Sequence, residues 1–264
     1  MTGSARATPL FGWRVLVPRP AGRADELADL LRRTGAEPVP VPLIETLAES
    51  GSSEMRRAVG DLAAGAFDWV AFTSVAAVSA TMDAARLSRL ERPVGGATRV
   101  AAVGESTAAA LHRAGIATDL VPDGAGSAAA LIAAWPVEPP GRSVLLPRSD
   151  HALLALPDAL RRKGYRVRQV VAYRTVPLPA PATVAGELAA GQIRSVLLTS
   201  PSTAAALAEV PIASGTVVIA IGTSTAAAAR RFGLAVTATA SQPSAAGLVD
   251  ALIRASVTAP SVRP

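Results

Sequence analysis

Cysteine is absent from the 264 residues, so disulfides, thiol catalysis and thiolate metal sites are excluded together. Histidine is nearly absent. His112 and His151 lie far apart on helix-like stretches, with no second ligand at helical spacing, and neither is expected to bind a metal or to act in catalysis. Aromatic residues make up 3% of the chain, too few for a surface that binds single strands by stacking on bases. Basic blocks are lacking too. The net charge of +6 comes from scattered arginines, which argues against a nucleic-acid partner and suits a small polyanion better. No uninterrupted apolar run near the N-terminus reaches membrane-spanning length, and residues 1–9 lack the charged-then-apolar layout of a signal peptide. The expectation is a cytoplasmic protein without a membrane partner. About the first nine residues and the tail after Ala255 are expected to be disordered.

What the chain has is a repeat. Residues 14–46 reappear without a gap as 143–175, with Val15-Leu16-Val17-Pro18-Arg19 on Val144-Leu145-Leu146-Pro147-Arg148 and Gly35 on Gly164. Two later echoes follow: Phe72-Thr73-Ser74 against Leu198-Thr199-Ser200, and Val103-Gly104-Glu105-Ser106-Thr107 against Ile221-Gly222-Thr223-Ser224-Thr225. Two copies of an α/β unit follow, with a ligand expected between them, and two long units exclude a solenoid. Half of the residues are apolar, enough for each copy to bury a core.

Short Val/Ile/Leu runs predict strands over 14–18, 69–73, 99–103, 143–147, 195–199 and 217–221. Helical spacing follows each, over 25–34, 75–85, 106–114, 153–163, 202–209 and 224–232. Continuously apolar strands are buried on both faces, which means parallel sheets covered by helices. Residues 38–45, PVPVPLIE, do not fit a central strand because proline cannot donate to the ladder, but an edge tolerates them. Their repeat partner, 167–175, is also extended. The two segments are expected to pair antiparallel as a bridge between the lobes.

Open α/β sheets bind ligands outside the carboxyl ends of their strands. Those ends here read Pro18-Arg19-Pro20, Thr73-Ser74, Gly104-Glu105-Ser106-Thr107, Pro147-Arg148-Ser149, Thr199-Ser200-Pro201-Ser202 and Gly222-Thr223-Ser224-Thr225. Taken singly, each hydroxyl reads as a helix N-cap. Taken together with Arg19 and Arg148, they make a mouth of hydroxyls, helix N-termini and cations suited to anions. No catalytic triad, paired-carboxylate site or metal cluster can be assembled. The glycines lack dinucleotide or phosphate-loop spacing. One acid is available in Tyr173, whose alternative role is an amphipathic bridge residue with its ring inward.

The segments PRPAGRADELADLLRRTGAEPVPVPLIE, FDWVAFTSVAAV, VAAVGESTAAALHRAG, VVAYRT, VLLTSPSTA, AIGTSTAAAARRFG and SQPSAAGLVDAL occur in an order and spacing that resembles the uroporphyrinogen-III synthase family over nearly the whole chain. Val75-Ala76 is a departure, since an asparagine or arginine often stands there. The resemblance implies two flavodoxin-like parallel-sheet lobes related by internal duplication and joined by a two-stranded β-ladder. Lobe one would combine 1–37 with 177–264, lobe two would span 47–167, and the ladder would use 38–46 and 168–176.

The resemblance further implies cyclisation of hydroxymethylbilane, an octacarboxylate, to uroporphyrinogen III. Water is lost and ring D is inverted, without metal or cofactor. Tyr173 would be the general acid. Substrate contacts would fall on Thr73, Ser74, Gly104, Thr107, Ser200, Ser202, Gly222, Ser224 and Thr225. A monomer is expected. The alternative is a two-lobed binding or sensor protein without catalysis, since fold does not decide function.

Overall fold

The computed structural model describes residues 8–19, 25–124, 126–152 and 154–258. In chain order the elements are β1 (Arg14–Val17), α1 (Asp25–Arg33), β2 (Glu37–Pro40), β3 (Ile44–Ala48), α2 (Ser53–Ala63), β4 (Trp69–Phe72), α3 (Val75–Leu87), β5 (Arg99–Ala102), α4 (Glu105–Arg113) and α5 (Ala128–Ala134). There follow β6 (Ser143–Ser149), α6 (Ala155–Arg162), β7 (Arg166–Pro177), α7 (Ala182–Ala189), β8 (Ser195–Leu198), α8 (Pro201–Leu207), β9 (Val217–Ala220), α9 (Thr223–Arg231), β10 (Ala238–Thr239) and α10 (Ala245–Thr258). The six strands and six helices expected from the apolar runs all form, with ends shifted by a few residues. Helices α2, α5 and α7 were not expected.

The chain divides into a first unit, residues 1–45 with 176–264, and a second, residues 46–175. The first holds a sheet in the order β10-β9-β8-β1-β2, every pair parallel. By position in this unit's chain that order is the flavodoxin-like one. Alternate residues of β1 face opposite sides. Val15 and Val17 join Leu27 and Leu31 of α1 and Leu248 and Leu252 of α10. Leu16 joins Leu188 of α7, Leu207 of α8 and Ala229 of α9. Burial on both faces explains why these strands are apolar at every position.

Strand β2 is the edge, and its prolines show why it can be. Backbone N–H groups of Glu37 and Val41 donate to Trp13 and Val17 carbonyls at 2.8 and 3.0 Å. The intervening even positions, Pro38 and Pro40, fall where an N–H would point away from the sheet, so none is missed.

The second unit's sheet has the order β3-β7-β6-β4-β5, with β4, β5, β6 and β7 parallel neighbours. One face packs Val70, Phe72, Leu145 and Val170 against Met55 and Leu62 of α2 and Leu111 of α4. The other packs Trp69, Val144 and Leu146 against Leu131 of α5, Leu156 and Leu160 of α6, Trp135 and Tyr165. A single parallel bridge, Ala101 to Leu120, lies beyond β5, where the first unit has β10 beyond β9. At the opposite edge, Glu49 N donates to Ala172 O at 2.9 Å, and Leu178 N to Leu43 O at 2.8 Å.

The expected ends without structure lie outside the described residues at 1–7 and 259–264. The expectation fails for 256–258, where α10 continues to Thr258. Ala255 is buried, and Ser256 Oγ donates to Ile253 O at 2.8 Å, which ties down the helix end.

Candidate active site

Parallel strands carry their carboxyl ends to one edge of each sheet, and every expected site residue lies at such an edge or in the helix that follows. In the second unit these are Thr73, Ser74, Gly104, Thr107, Arg148 and Tyr173; in the first, Arg19, Ser200, Ser202, Gly222, Ser224 and Thr225.

Two kinds of helix start alternate along these rims. At the first kind a serine caps the helix. Ser74 Oγ accepts from Ala77 N at 3.1 Å. Ser200 Oγ accepts from Thr203 N at 3.2 Å, while Thr203 Oγ1 accepts from Ser200 N at 3.1 Å, a full capping box. The N-cap reading of these serines is therefore met. It does not exhaust them, because a hydroxyl that accepts a backbone N–H still has its own hydrogen to donate. At the second kind, α4 and α9 begin behind Gly104 and Gly222, extended N-caps without a side chain. In α4 the Thr107 N–H already donates to Gly104 O at 3.1 Å; the other first-turn N–H groups point out of the helix start, where its dipole makes them attractive to carboxylates.

Gly104 also has a packing reason. A Cβ there would stand 2.7 Å from Gly126 Cα, and one on Gly126 would stand 3.0 Å from Gly104 Cα. Gly222 meets nothing within 4 Å.

Ser202 is half-buried and Ser224 exposed. Thr107 and Thr225, by contrast, are 2% and 1% exposed. Little of either residue reaches solvent.

Arg19 Nε donates to Thr199 Oγ1 at 3.3 Å, linking the ends of β1 and β8. Arg148 Nε donates to Ser149 O at 3.3 Å and its Nη1 donates to Gln169 Oε1. Burial pushes the Arg148 pKa down from its ordinary value, but a guanidinium stays charged throughout the physiological range.

Tyr173 reaches the rim through a bulge. Arg148 pairs with Val171, but Ser149 pairs with Tyr173, one residue having been passed over in β7. As a result both Ala172 and the half-buried ring of Tyr173 lie on the core around Phe72, which strict alternation forbids for adjacent residues. The other tyrosine, Tyr165, is 4% exposed and its hydroxyl donates to Pro136 O at 3.1 Å. Burial raises its pKa. Tyr165 is a core residue.

Sequence reasoning passed over Gln169, Gly126 and Asp150. Burial works against ionisation of Asp150. Hydrogen bonds from Ser149 Oγ and His151 N, both 3.0 Å, and the nearby His151 ring outweigh it and hold the carboxyl below its usual range. The signal for Gln169 was a polar residue at an inward-facing position between Val167 and Val171. Among the described residues no group of three His, Asp or Glu side chains is placed to hold a metal ion, and no helix is long and apolar enough to cross a membrane.

Fold and rims together define a class: an α/β protein of two parallel-sheet units whose strand ends carry helix N-termini, hydroxyls and arginines. The family described as uroporphyrinogen-III synthase HemD matches residues 25–250. The chain belongs to that family.

It is similar to the porphyrin biosynthesis protein HemD of Ruminiclostridium josui, 28% identical over 236 residues that cover 86% of this chain and 45% of that protein. It is also similar to the uroporphyrinogen-III synthase of Synechococcus elongatus, 29% identical over 169 residues, 63% of this chain and 62% of that one. The chain thus spans under two thirds of either relative. Among solved structures, a mutant uroporphyrinogen III synthase from Thermus thermophilus aligns with a TM-score of 0.67 at 22% identity, covering 93% of this chain and 99% of that one. At that identity the likeness speaks for the fold alone.

Proposed function

We propose that this chain cyclises hydroxymethylbilane to uroporphyrinogen III. The observation that carries this is the seating of Tyr173 by the β7 bulge on the same rim as Arg148, Thr73-Ser74 and Gly104, in a chain of this family. Tyr173 gives its proton to the departing hydroxyl, which leaves as water, and the ring-A methylene becomes a resonance-stabilised cation. The substituted α-carbon of ring D attacks it to form a spiro intermediate. The older bond to that carbon then breaks, and the free α-carbon of ring D closes the macrocycle and releases its proton, which restores the balance. Ring closure at the free α-carbon without inversion is the easier path, so the protein's task is to hold the substrate's conformation. Positioning alone is worth many powers of ten when geometry is enforced.

The carboxylates of the substrate are taken by Arg19, Arg148, Thr73, Ser74, Ser200, Ser202 and Ser224, and by Gly104, Thr107, Gly222 and Thr225 at the starts of α4 and α9. The two lobes arise by duplication; within 38–46, residues 38–40 belong to β2 beside β1, which leaves 41–46 with 168–176 as the ladder that joins them. The protein works as a cytoplasmic monomer, without metal or cofactor and without nucleic-acid or membrane partners. Freshly prepared hydroxymethylbilane is the test, with type I and type III products resolved. Type III formation above the spontaneous type I background is expected. Binding without turnover would mark a sensor instead.

A further inference from the structure

Between the ends of β4 and β6 and the start of α6 the second unit has a cavity of about 220 Å³, open to solvent on one side. Ala71, Leu146, Leu156 and Pro157 form apolar walls, and Thr73 and Arg148 supply the polar atoms. Arg148 shares a face of β6 with Val144 and Leu146 because side chains alternate along a strand. Gln169, opposite Leu146 on β7, holds one end of its guanidinium. Two bonds, to Gln169 and to Ser149 O, leave most of its five N–H donors for a ligand. No described carboxylate pairs with it, and a half-buried cation in an apolar wall gains most from an anion that arrives with its own apolar stem. Cavities for whole small ligands run from about 300 to 1,000 Å³, so this one takes only part of a larger molecule.

We propose that the cavity is a subsite for one carboxyalkyl arm of the substrate, with methylenes on the apolar wall, carboxylate on Arg148, and Gln169 as the positioning residue that aims the guanidinium. The proposal rests on the function proposed above for the identity of the arm. The cavity's preference for a short carboxyalkyl group rests on geometry alone.

The probe is 3-(1H-pyrrol-3-yl)propionate, with its primary amide as control, titrated into the full chain while the backbone amide resonances of Thr73, Leu146 and Arg148 are followed. The acid is expected to give saturable shifts at these three positions and the amide none. Arg148→Met should weaken the acid roughly tenfold or more, the value of a charged hydrogen bond. Gln169→Glu, which hands the guanidinium an internal carboxylate, should weaken it similarly. Ala128→Phe blocks the mouth from an exposed position where folding is not at stake and should abolish the shifts. With hydroxymethylbilane, all three variants should raise KM while kcat changes little, a split that general loss of structure would not give. Equal binding of acid and amide, or wild-type binding in Arg148→Met and Ala128→Phe, overturns the subsite. Turnover with no probe binding and an unchanged KM in Arg148→Met also sinks the subsite and spares the function. Probe binding without turnover sinks the function and spares the cavity.

Discussion

Tyr173 and Thr107 share a rim but not an environment, and the difference makes their substitutions separable. The Tyr173 ring rests half-buried at the rim, and Tyr173→Phe removes the hydroxyl, the proposed proton donor, without removing the ring. General acids contribute about 10²–10⁴-fold, and an easily lost hydroxyl places the expected drop in kcat near the lower end. Thr107 and Thr225 are almost fully buried as residues. One neutral hydrogen bond is worth about 0.5–1.5 kcal/mol, so Thr107→Ala should cost about tenfold or less in kcat/KM. Steady-state kinetics beside urea unfolding decide it; full kcat in Tyr173→Phe with none in Thr107→Ala would move the proton transfer to the threonine.

Asp68 gives a second test at this scale. Backbone Ser143 N, the Arg142 guanidinium and Ser143 Oγ hold its carboxyl at about 2 against a burial cost. In the unfolded chain it titrates near about 3.9. Its contribution is complete above that value and drains away as pH falls toward about 2. The melting-temperature gap between the wild type and Asp68→Asn should be wide at pH 7 and nearly closed at pH 2. Single residues were the least legible level of the sequence. The strand-end hydroxyls were evident as a group, but which of them sit buried depends on how each helix docks, and Gln169 matters only once β7 lies beside β6.

Elements were more legible because their signals are local. Short runs rich in Val, Ile and Leu and bounded by turn signals read as strands buried on both faces, and Pro38 with Pro40 marked an edge for the reason the hydrogen bonds bear out. Helix α5, AAALIAA, is too short to show a period. Helix α7 follows a proline-rich stretch and carries Gly186, so its propensity is weak, and packing of Val184 and Leu188 supplies what propensity does not. The bulge at Tyr173 had no sequence signal.

Glycines in matching places behave differently at this scale. Gly104→Ala must push apart two backbones 2.7 Å from the new Cβ, whereas Gly222→Ala enters open space. A melting temperature lower by several degrees is expected for the first and almost no change for the second; equal losses would mean that the close approach to Gly126 is not kept in solution.

At the scale of the molecule, the second unit is one continuous stretch with two cores of its own. A fragment of residues 44–177 should fold cooperatively by itself, with a single urea transition and dispersed amide resonances; a fragment without a cooperative transition would make the units interdependent. Exhaustive chelation of the full chain should leave type III formation intact, and activity restored by added metal would refute catalysis without one.

The first unit is interrupted in its middle. Strand β1 has β2 on one side, 20 or so residues onward in the chain, and β8 on the other, which the ribosome delivers only after the entire second unit. At roughly 5–20 residues per second, the apolar flank of β1 waits on the order of ten seconds for its neighbour. By then the later-encoded unit already has every strand it needs. Synthesis therefore inverts the order of the map: the part that begins first is finished last, and the nascent chain spends that interval with an open sheet edge in the care of whatever shields such edges in the cell.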